Sequence, residues 1–461
     1  MKSSRAEIHS RVHGVPDVRF DDEKMTSFGG LVVFQLLFKR LELKARLRGC
    51  FGAVDRARSF GIATVTLQLI VQILLGFRRL RDRDYYSSDP LVCRVLGVSK
   101  LPDVGTISRT LSAATRACIE RLRSLVRELV LDRLKKLQLG TVTLDFDGSV
   151  QSTRRHAEGS AVGYNKMRKG ARSYYPLFCT VSQTGQFFDM LHRPGNVHDS
   201  RGADEYVAEK IAEVRANLPS TRIETRLDSA FFSEAMLEVL ERCAVEYSIS
   251  VPFERFPALR DFIMRPRRKW QRIDDDRCFL EIDWQPKSWQ DCVIRRVIAI
   301  RSRKLVREKG PLQLDLFEPR DREYEYKIFI TNKVVRAGSA MLFHNGRGVQ
   351  EAILGEGKHW AALDYVPCRR LLANQIYSTS ALLAHNLARE VQMASAAPRV
   401  TRQSANRAPI FEFATLGTIR DRFLRRAGSL TRPSGTLTLT IAAAGLARHG
   451  IERFVRSLRA A

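Results

Sequence analysis

The spacing of hydrophobic residues predicts that the chain begins with a helical region. Apolar residues recur at helical spacing through residues 31–47, 65–75 and 111–137, and the polar positions between them carry most of the local charge. Such spacing places the apolar side chains on one side of each helix. Residues 102–106 have the composition of a turn with a helix cap.

From Thr141 onward the hydrophobic period changes from that of a helix to that of a strand. Apolar and polar residues alternate from 141 to 147. Alternate residues of a strand face opposite sides of a sheet, so the pattern predicts one apolar and one polar side. Asp145 and Asp147 share the polar side. Of the two, Asp147 is the preferred candidate for a functional carboxylate because it is nearer the strand end, and Asp145 remains an alternative.

Five predicted strands and two predicted helices follow one another in the centre of the chain. The strands cover residues 141–147, 177–182, 187–191, 222–228 and 245–251, and the helices cover residues 201–217 and 233–243. The first strand ends at Asp147 and the fourth at Asp228. This order, with acidic residues at these two ends, predicts an α/β fold with a ribonuclease-H-like mixed sheet flanked by helices.

Changes in pattern divide the chain into five predicted regions. Strand-like stretches follow a basic run at 265–269, and helical spacing returns from Arg347. Residues 395–409, rich in Ala, Ser, Pro and Arg, have the composition of a linker or a loose surface segment. The regions are a helical, basic region at 1–138, the first part of the ribonuclease-H-like core at 139–252, a β-rich insertion at 253–340, core helices at 341–395 and a basic C-terminal region at 396–461.

The charge balance predicts a polyanionic partner. The 461 residues include 77 Lys and Arg against 50 Asp and Glu, a formal net charge of +27. Clustered cations bind phosphates with release of counterions, so a nucleic acid is one candidate and a membrane surface is the rival polyanion. If the partner is DNA, region 1–138 is the expected DNA-binding region. The helix that follows residues 102–106 is then either a recognition helix or an ordinary structural helix.

Composition argues against several other classes of protein. The most apolar stretch, 62–77, contains Gln68 and Gln72 and is shorter than the roughly 20 residues of a membrane span, so we predict a buried helix and no membrane partner. The first ten residues have no apolar run behind their charges, which favours a cytoplasmic protein. The eight cysteines form no Cys-x-x-Cys pair, which argues against a zinc site or a disulfide framework.

Asp147, Asp228 and Glu351 form the predicted chemical site. Three carboxylates repel one another when close, so the set suits a site completed by divalent cations, and magnesium prefers oxygen ligands. Two such ions about 4 Å apart can activate one oxygen and stabilise another during phosphoryl transfer. Arg347, Glu351 and Lys358 share one face of a predicted helix. The alternative for this helix is an exposed face with an ordinary ion pair.

Longer motifs carry a family resemblance over most of the chain. They are residues 144–149 (LDFDGS), 163–166, 174–177, 193–199 (RPGNVHD), 227–232 (LDSAFF), 329–332 and 347–351 with Lys358. These motifs resemble transposases of the insertion-sequence 1380 family, within the DDE transposases that share a ribonuclease-H-like catalytic core. Related transposases have a Tyr, Arg, Glu, Lys signature with two, three and six intervening residues. His344, Arg347, Glu351 and Lys358 keep this spacing, with His344 in the place of the tyrosine.

The resemblance implies roles for individual residues. Asp147, Asp228 and Glu351 would be catalytic and bind the metal, and Arg347 and Lys358 would contact the substrate DNA. It also implies magnesium as the cofactor, which manganese can replace, the terminal inverted repeats of the element and target DNA as partners, and a homodimer or higher synaptic complex. A prokaryotic protein that associates with the nucleoid when bound to DNA is expected.

A basic loop adds a second candidate DNA surface. Lys166, Arg168, Lys169 and Arg172 lie close together in sequence, with Tyr164 nearby. Such a loop suits contacts with phosphates and stacking on bases, and a solvated loop is the alternative.

Together these features predict a DNA transposase. It would bind the terminal repeats, cleave DNA at the element ends and transfer the strands to target DNA by two-metal phosphoryl transfer. The alternatives are a metal-dependent nuclease without strand transfer and a catalytically inert DNA-binding protein derived from a transposase.

Overall fold

A computed structural model describes most of the chain. The described residues are 12, 14–19, 22–55, 60–153, 156–165, 168–198, 200–265, 268–289, 295–303, 324–399, 404–442 and 444–460.

The helices occur in three groups along the sequence. The first group is α1 (Leu31–Arg40), α2 (Leu43–Asp55), α3 (Ile62–Leu75), α4 (Pro90–Leu96), α5 (Val104–Leu111) and α6 (Arg116–Leu137). The second is α7 (Ala203–Asn217), α8 (Glu234–Arg242) and α9 (Pro257–Ile263). The third is α10 (Ala337–Asn345), α11 (Gly348–Trp360), α12 (Leu371–Ala394), α13 (Leu416–Ile419) and α14 (Leu446–Ala460).

Nine described strands form one large sheet. They are β1 (Thr141–Gly148), β2 (Leu177–Val181), β3 (Gln186–Leu191), β4 (Arg222–Leu227), β5 (Glu246–Ser250), β6 (Gln271–Arg272), β7 (Arg277–Asp283), β8 (Arg296–Arg303) and β9 (Tyr324–Thr331). Their order across the sheet is β6-β7-β8-β9-β5-β4-β1-β2-β3. Short strands at Gln151–Ser152, Ala161–Val162, Arg172–Tyr174, Met25–Thr26, Gly428–Thr431 and Thr438–Ile441 form two smaller sheets.

The five strands at one end of the large sheet have ribonuclease-H-like topology. Strands β1, β2 and β3 are antiparallel neighbours, whereas β4 and β5 run parallel to β1. The resulting order 3-2-1-4-5, with helices α7 and α8 in the two crossovers, confirms the predicted fold class.

The strands of the predicted β-rich insertion extend this same sheet. Strand β9 pairs antiparallel with β5, and β8, β7 and β6 follow as antiparallel neighbours. Val297 and Ile330 belong to the same apolar core as β1 and β4. The described part of region 253–340 therefore continues the sheet and its core.

The two faces of the sheet are covered by different helices. On one face, Val142, Leu144 and Phe146 are buried together with the apolar sides of α7 and α8. On the other face, helix α12 packs on β3, α3 and α6, and Phe178 and Phe187 join the large apolar core of the first helical group. Helix α12 and the helices of region 1–138 thus share one core on this face, and the end of α6 also joins the core of the other face.

Helix α3 is part of the core that α12 shares with region 1–138. Thirteen of its residues are buried, including both glutamines, as expected for a helix that is apolar on all sides. Gln72 donates through Nε2 to the Arg79 carbonyl at 2.8 Å and accepts from the Tyr86 hydroxyl at 2.7 Å. The predicted buried helix is confirmed. None of the helices in the described ranges has both the length and the apolar character needed to cross a membrane.

Segment 395–409 is attached to the sheet at residues 406 and 407, whereas its residues 396–399 are exposed. Arg407 donates through Nε and Nη2 to Glu224 at 2.7 and 2.8 Å, and the Asn406 carbonyl accepts from Arg226 at 2.8 Å. Ile410 and Phe411, which follow, are buried. The composition suggested a linker because it did not show that buried charges in the sheet need partners from this segment.

Candidate active site

The pairing of β1 with β4 brings Asp147 and Asp228 to one edge of the sheet. These parallel strands pair Asp145 with Arg226, and each aspartate lies two residues further along (147 − 145 = 2 and 228 − 226 = 2). Asp228 keeps an extended backbone, with φ −88° and ψ −177°. Neighbouring strands lie about 4.8 Å apart, so the two carboxylates start from adjacent positions.

Asp228 also begins the next turn of the chain. Its carboxylate accepts a hydrogen bond from the Ala230 backbone N–H at 2.9 Å and caps the short helix Ser229–Phe231. This contact restricts the orientation of the carboxylate at the edge of the sheet.

Helix α11 brings Glu351 to the same edge. Gln350 donates through Nε2 to the Asp145 carbonyl at 2.9 Å, which attaches the first turn of α11 to β1. The guanidinium of Arg347 lies 3.0 Å from Glu351 Oε1 and 3.9 Å from Asp147 Oδ2. Arg347 therefore connects the first and third predicted acids.

The three carboxylates differ in their surroundings. The Glu351 side chain is 60% exposed, whereas the Asp147 side chain is 19% exposed. Within the described ranges, no group of three or more His, Cys, Asp or Glu side chains is arranged to hold a metal ion. The pairing of β1 with β4 places the two aspartates at neighbouring strand ends, and Arg347 connects Glu351 to Asp147.

Two lysines border this edge. Burial lowers the pKa of Lys358, and the nearby carboxylates of Asp364 and Asp147 oppose that shift. Burial, followed by the charge of Arg347, lowers the pKa of Lys327 in β9, and Glu351 opposes it. Sequence reasoning missed Lys327, whose Nζ donates to Asn345 Oδ1 at 2.7 Å. No motif of the sequence includes Lys327, and its position in a strand-like stretch was the one signal that could have found it.

Asp145 is the acid of a buried ion pair. The Nε and Nη2 atoms of Arg226 donate to its two carboxylate oxygens at 2.6 and 2.7 Å, and both side chains are fully buried. Burial raises the pKa of Asp145, and Arg226 opposes that rise. Since Arg226 binds both carboxylate oxygens of Asp145, Asp145 has a structural role as the partner of Arg226.

His344, the departure from the family signature, packs inside the protein. It shares hydrogen bonds with the Ser248 hydroxyl at 3.0 Å and the Ser250 hydroxyl at 2.9 Å, and it stacks on Phe329 with ring centroids 4.6 Å apart. Burial lowers its pKa well below the ordinary value, which keeps the ring neutral. His344 therefore attaches α10 to the sheet.

The basic loop is described in part. Arg168 and Lys169 are exposed, whereas Arg172 donates through Nε to the Ser160 hydroxyl at 3.1 Å. Tyr164 is 44% exposed, and its ring lies 6.1 Å from that of Tyr175. Lys166 lies outside the described residues.

Comparisons with known proteins point to one family. The family described as "Transposase DDE domain group 1" matches residues 13–461. No curated protein sequence matches the chain.

Three solved structures show a distant likeness. The piggyBac transposase synaptic complex with hairpin DNA aligns with a TM-score of 0.38 and 11% identity over 77% of this chain and 75% of that chain. The Mos1 mariner paired-end complex with Mn aligns with a TM-score of 0.17 and 14% identity over 34% and 52%. The Mos1 complex with the left transposon end gives 0.17 and 13% over 40% and 57%. Scores this low carry no weight, so the assignment depends on the family match, and the chain belongs to the DDE transposases of domain group 1.

Proposed function

We propose that this protein is an active DNA transposase of an insertion sequence related to the 1380 family. It would bind the terminal inverted repeats of its element, cleave DNA at the element ends and transfer the strands to target DNA. The observation that carries the proposal is the position of Asp147 beside Asp228, with Arg347 connecting Asp147 to Glu351.

The residues at this edge suit a divalent metal. Asp147, Asp228 and Glu351 offer carboxylate oxygens, which are the ligands that Mg²⁺ and Mn²⁺ prefer. Asp147 and Glu351 share the guanidinium of Arg347, and it is the oxygen chemistry of the three side chains that fits a divalent metal. These three residues would hold the metal, which when bound would activate the attacking oxygen and stabilise the leaving oxygen.

Basic residues around the acids would place the DNA. Arg347 and Lys358 lie beside Asp147, where they would contact the phosphates next to the cleaved bond. Arg168 and Lys169 are exposed for contacts further along the DNA, with Lys166 in the same role and Arg172 supporting the loop through Ser160. The net charge of +27 supports a DNA partner. The DNA-binding role of region 1–138 and a synaptic multimer belong to the same proposal.

Substitution of Asp228 by Asn tests the catalytic assignment. We expect Asp228→Asn to retain binding to terminal-repeat DNA, because no basic residue changes. Magnesium-dependent cleavage should fall by more than about 100-fold, since loss of a direct ligand exceeds the effect of losing an outer partner. Gel shifts and cleavage of labelled repeat DNA measure the two properties. Asp261→Asn, an exposed aspartate in α9, is the matched control.

The products of the same assay separate the alternatives. Joined donor and target strands support a transposase, whereas cleaved and unjoined products indicate a nuclease. Cleavage by Asp228→Asn at the wild-type rate would refute the assignment of Asp228. A wild-type protein that binds repeats without any metal-dependent cleavage would be an inert DNA-binding protein.

A further inference from the structure

A buried ion pair lies directly behind the candidate acids. Asp145 and Arg226 each precede one of the two aspartates, Asp147 and Asp228, by two residues. The guanidinium binds both carboxylate oxygens, at 2.6 and 2.7 Å. Such a two-point contact defines relative orientation as well as distance, so it specifies how β1 and β4 lie side by side near the site.

The same guanidinium also reaches the segment that leads to the third acid. Arg226 Nη1 donates to the Phe343 carbonyl in α10 at 3.1 Å and to the Asn406 carbonyl at 2.8 Å. On the other side, Gln350 donates to the Asp145 carbonyl at 2.9 Å. The elements that carry Asp147, Asp228 and Glu351 are therefore all attached to one ion pair.

Gly346, between α10 and α11, permits this close approach. Its φ of −59° and ψ of −12° suit any residue, so backbone freedom does not require a glycine here. A Cβ at this position would overlap both Arg226 Nη1 and the Asn406 carbonyl oxygen. The missing side chain therefore makes room for Arg226.

We infer that Asp145, Arg226 and Gly346 are positioning residues, which set the relative placement of Asp147, Asp228 and Glu351 for metal binding. This inference rests on the proposed function. None of the three would be a ligand, because Arg226 is a cation without an acceptor, Asp145 is engaged by Arg226 and Gly346 has no side chain. A buried ion pair contributes little net stability relative to apolar residues of similar size. Its effect on geometry is therefore the stronger physical reason for its place here.

The first test compares two arginines in similar ion pairs. Arg226→Lys keeps the charge and loses the two-point contact. Arg133→Lys is the matched control, since Arg133 binds both oxygens of buried Glu390, between α6 and α12 and away from the acids. Binding of Mn²⁺ to the DNA-free protein, followed by electron paramagnetic resonance, should weaken about 10- to 100-fold in Arg226→Lys. It should be unchanged in Arg133→Lys, even where thermal unfolding shows a similar loss of stability.

The second test leaves every charge in place. Gly346→Ala should also weaken Mn²⁺ binding, because its Cβ would displace Arg226 Nη1 and the Asn406 carbonyl that accepts from it. Gly355→Ala in α11 should not, since a Cβ there meets no neighbouring atom. If Arg226→Lys does not fold, the affinity of Gly346→Ala for Mn²⁺ tests the positioning role on its own.

The outcomes separate the two levels of the proposal. Wild-type affinity for Mn²⁺ in folded Gly346→Ala and Arg226→Lys would overturn the positioning role alone. A wild-type protein that binds no Mn²⁺ would overturn the proposed function and, with it, this inference. If Arg133→Lys or Gly355→Ala weakened Mn²⁺ binding to the same degree, the positioning role would also be overturned, because the loss of affinity would then follow the loss of stability.

Discussion

The two faces of strand β1 are equally buried and chemically opposite. Val142, Leu144 and Phe146 are fully buried on one face among the apolar side chains of α7 and α8. Thr143 and Asp145 are fully buried on the other face. Thr143 donates a hydrogen bond to Glu224, and Asp145 accepts from Arg226. Asp147 lies at the end of this polar face, and Asp228 follows the neighbouring strand β4.

The polar face extends across the neighbouring strand through Glu224. This carboxylate accepts from Thr143, from Lys333 at 2.7 Å and from Arg407 at 2.7 and 2.8 Å. Burial favours a raised pKa, but the hydrogen bonds from Arg407 and Lys333 outweigh it and lower the pKa of Glu224 to about 2. The strength of a hydrogen bond between ions depends on its direction, whereas the free energy of an apolar contact depends mainly on the buried area. The apolar face of β1 therefore contributes stability, and the polar face sets the geometry of the neighbouring strands.

Breaking the buried pair should have the largest effect on stability. Asp145→Ala leaves the Arg226 guanidinium buried without its acid, and we expect the free energy of unfolding to fall by about 3–5 kcal/mol. Urea unfolding measures it. The double variant Asp145→Leu with Arg226→Met removes both charges and should lose less than Asp145→Ala. A double variant that is less stable than the single one would contradict this account of the polar face.

An equivalent change on the apolar face should separate stability from geometry. Leu144→Ala should lower the free energy of unfolding by about 3 kcal/mol, because it removes buried apolar area and leaves a cavity. The folded variant should bind Mn²⁺ with wild-type affinity, since no contact of the polar face changes. A loss of affinity as large as that of Arg226→Lys would show that the two faces do not have separate roles.

The smallest effect concerns the dependence of stability on pH. His344 is neutral in the folded protein because burial lowers its pKa well below 6.5. Its contribution is complete above about pH 6.5 and is lost as the pH falls toward the folded pKa, by up to about 1.4 kcal/mol per pH unit. His344→Gln should reduce this slope between pH 6.5 and 5.5 in urea titrations. The buried rings of His192 and His385, whose pKa values are also lowered by burial, contribute to the slope in the same direction. An unchanged slope in His344→Gln would contradict the assignment.

Local patterns predicted the elements well. Strand β1 spans Thr141–Gly148 against a predicted 141–147, and Ser233 caps α8 by accepting from the Met236 N–H at 3.2 Å. Helix α5 begins earlier than predicted, because Asp103 caps it by accepting from the Thr106 N–H at 2.9 Å. These features depend on neighbours within a few residues, which is why the sequence shows them.

The boundaries of the five predicted regions stay predictions, although the structure adds detail to two of them. The strands of 253–340 continue the large sheet because β9 pairs with β5, a pairing that no local pattern specifies. The loop at Arg407 belongs with the sheet because Glu224 is buried and needs a cation. Neither contact is visible in composition, which describes a segment without its partners.

The alternation of β1, the basic charge and the three candidate acids can be read from the amino-acid sequence. The pairing of Asp145 with Arg226, the link from Asp147 through Arg347 to Glu351 and the burial of His344 required the folded structure. These contacts join residues that are far apart along the chain. Asp147 and Asp228 are 81 residues apart (228 − 147 = 81), and their proximity depends on strand register, which is set by the packing of the whole sheet.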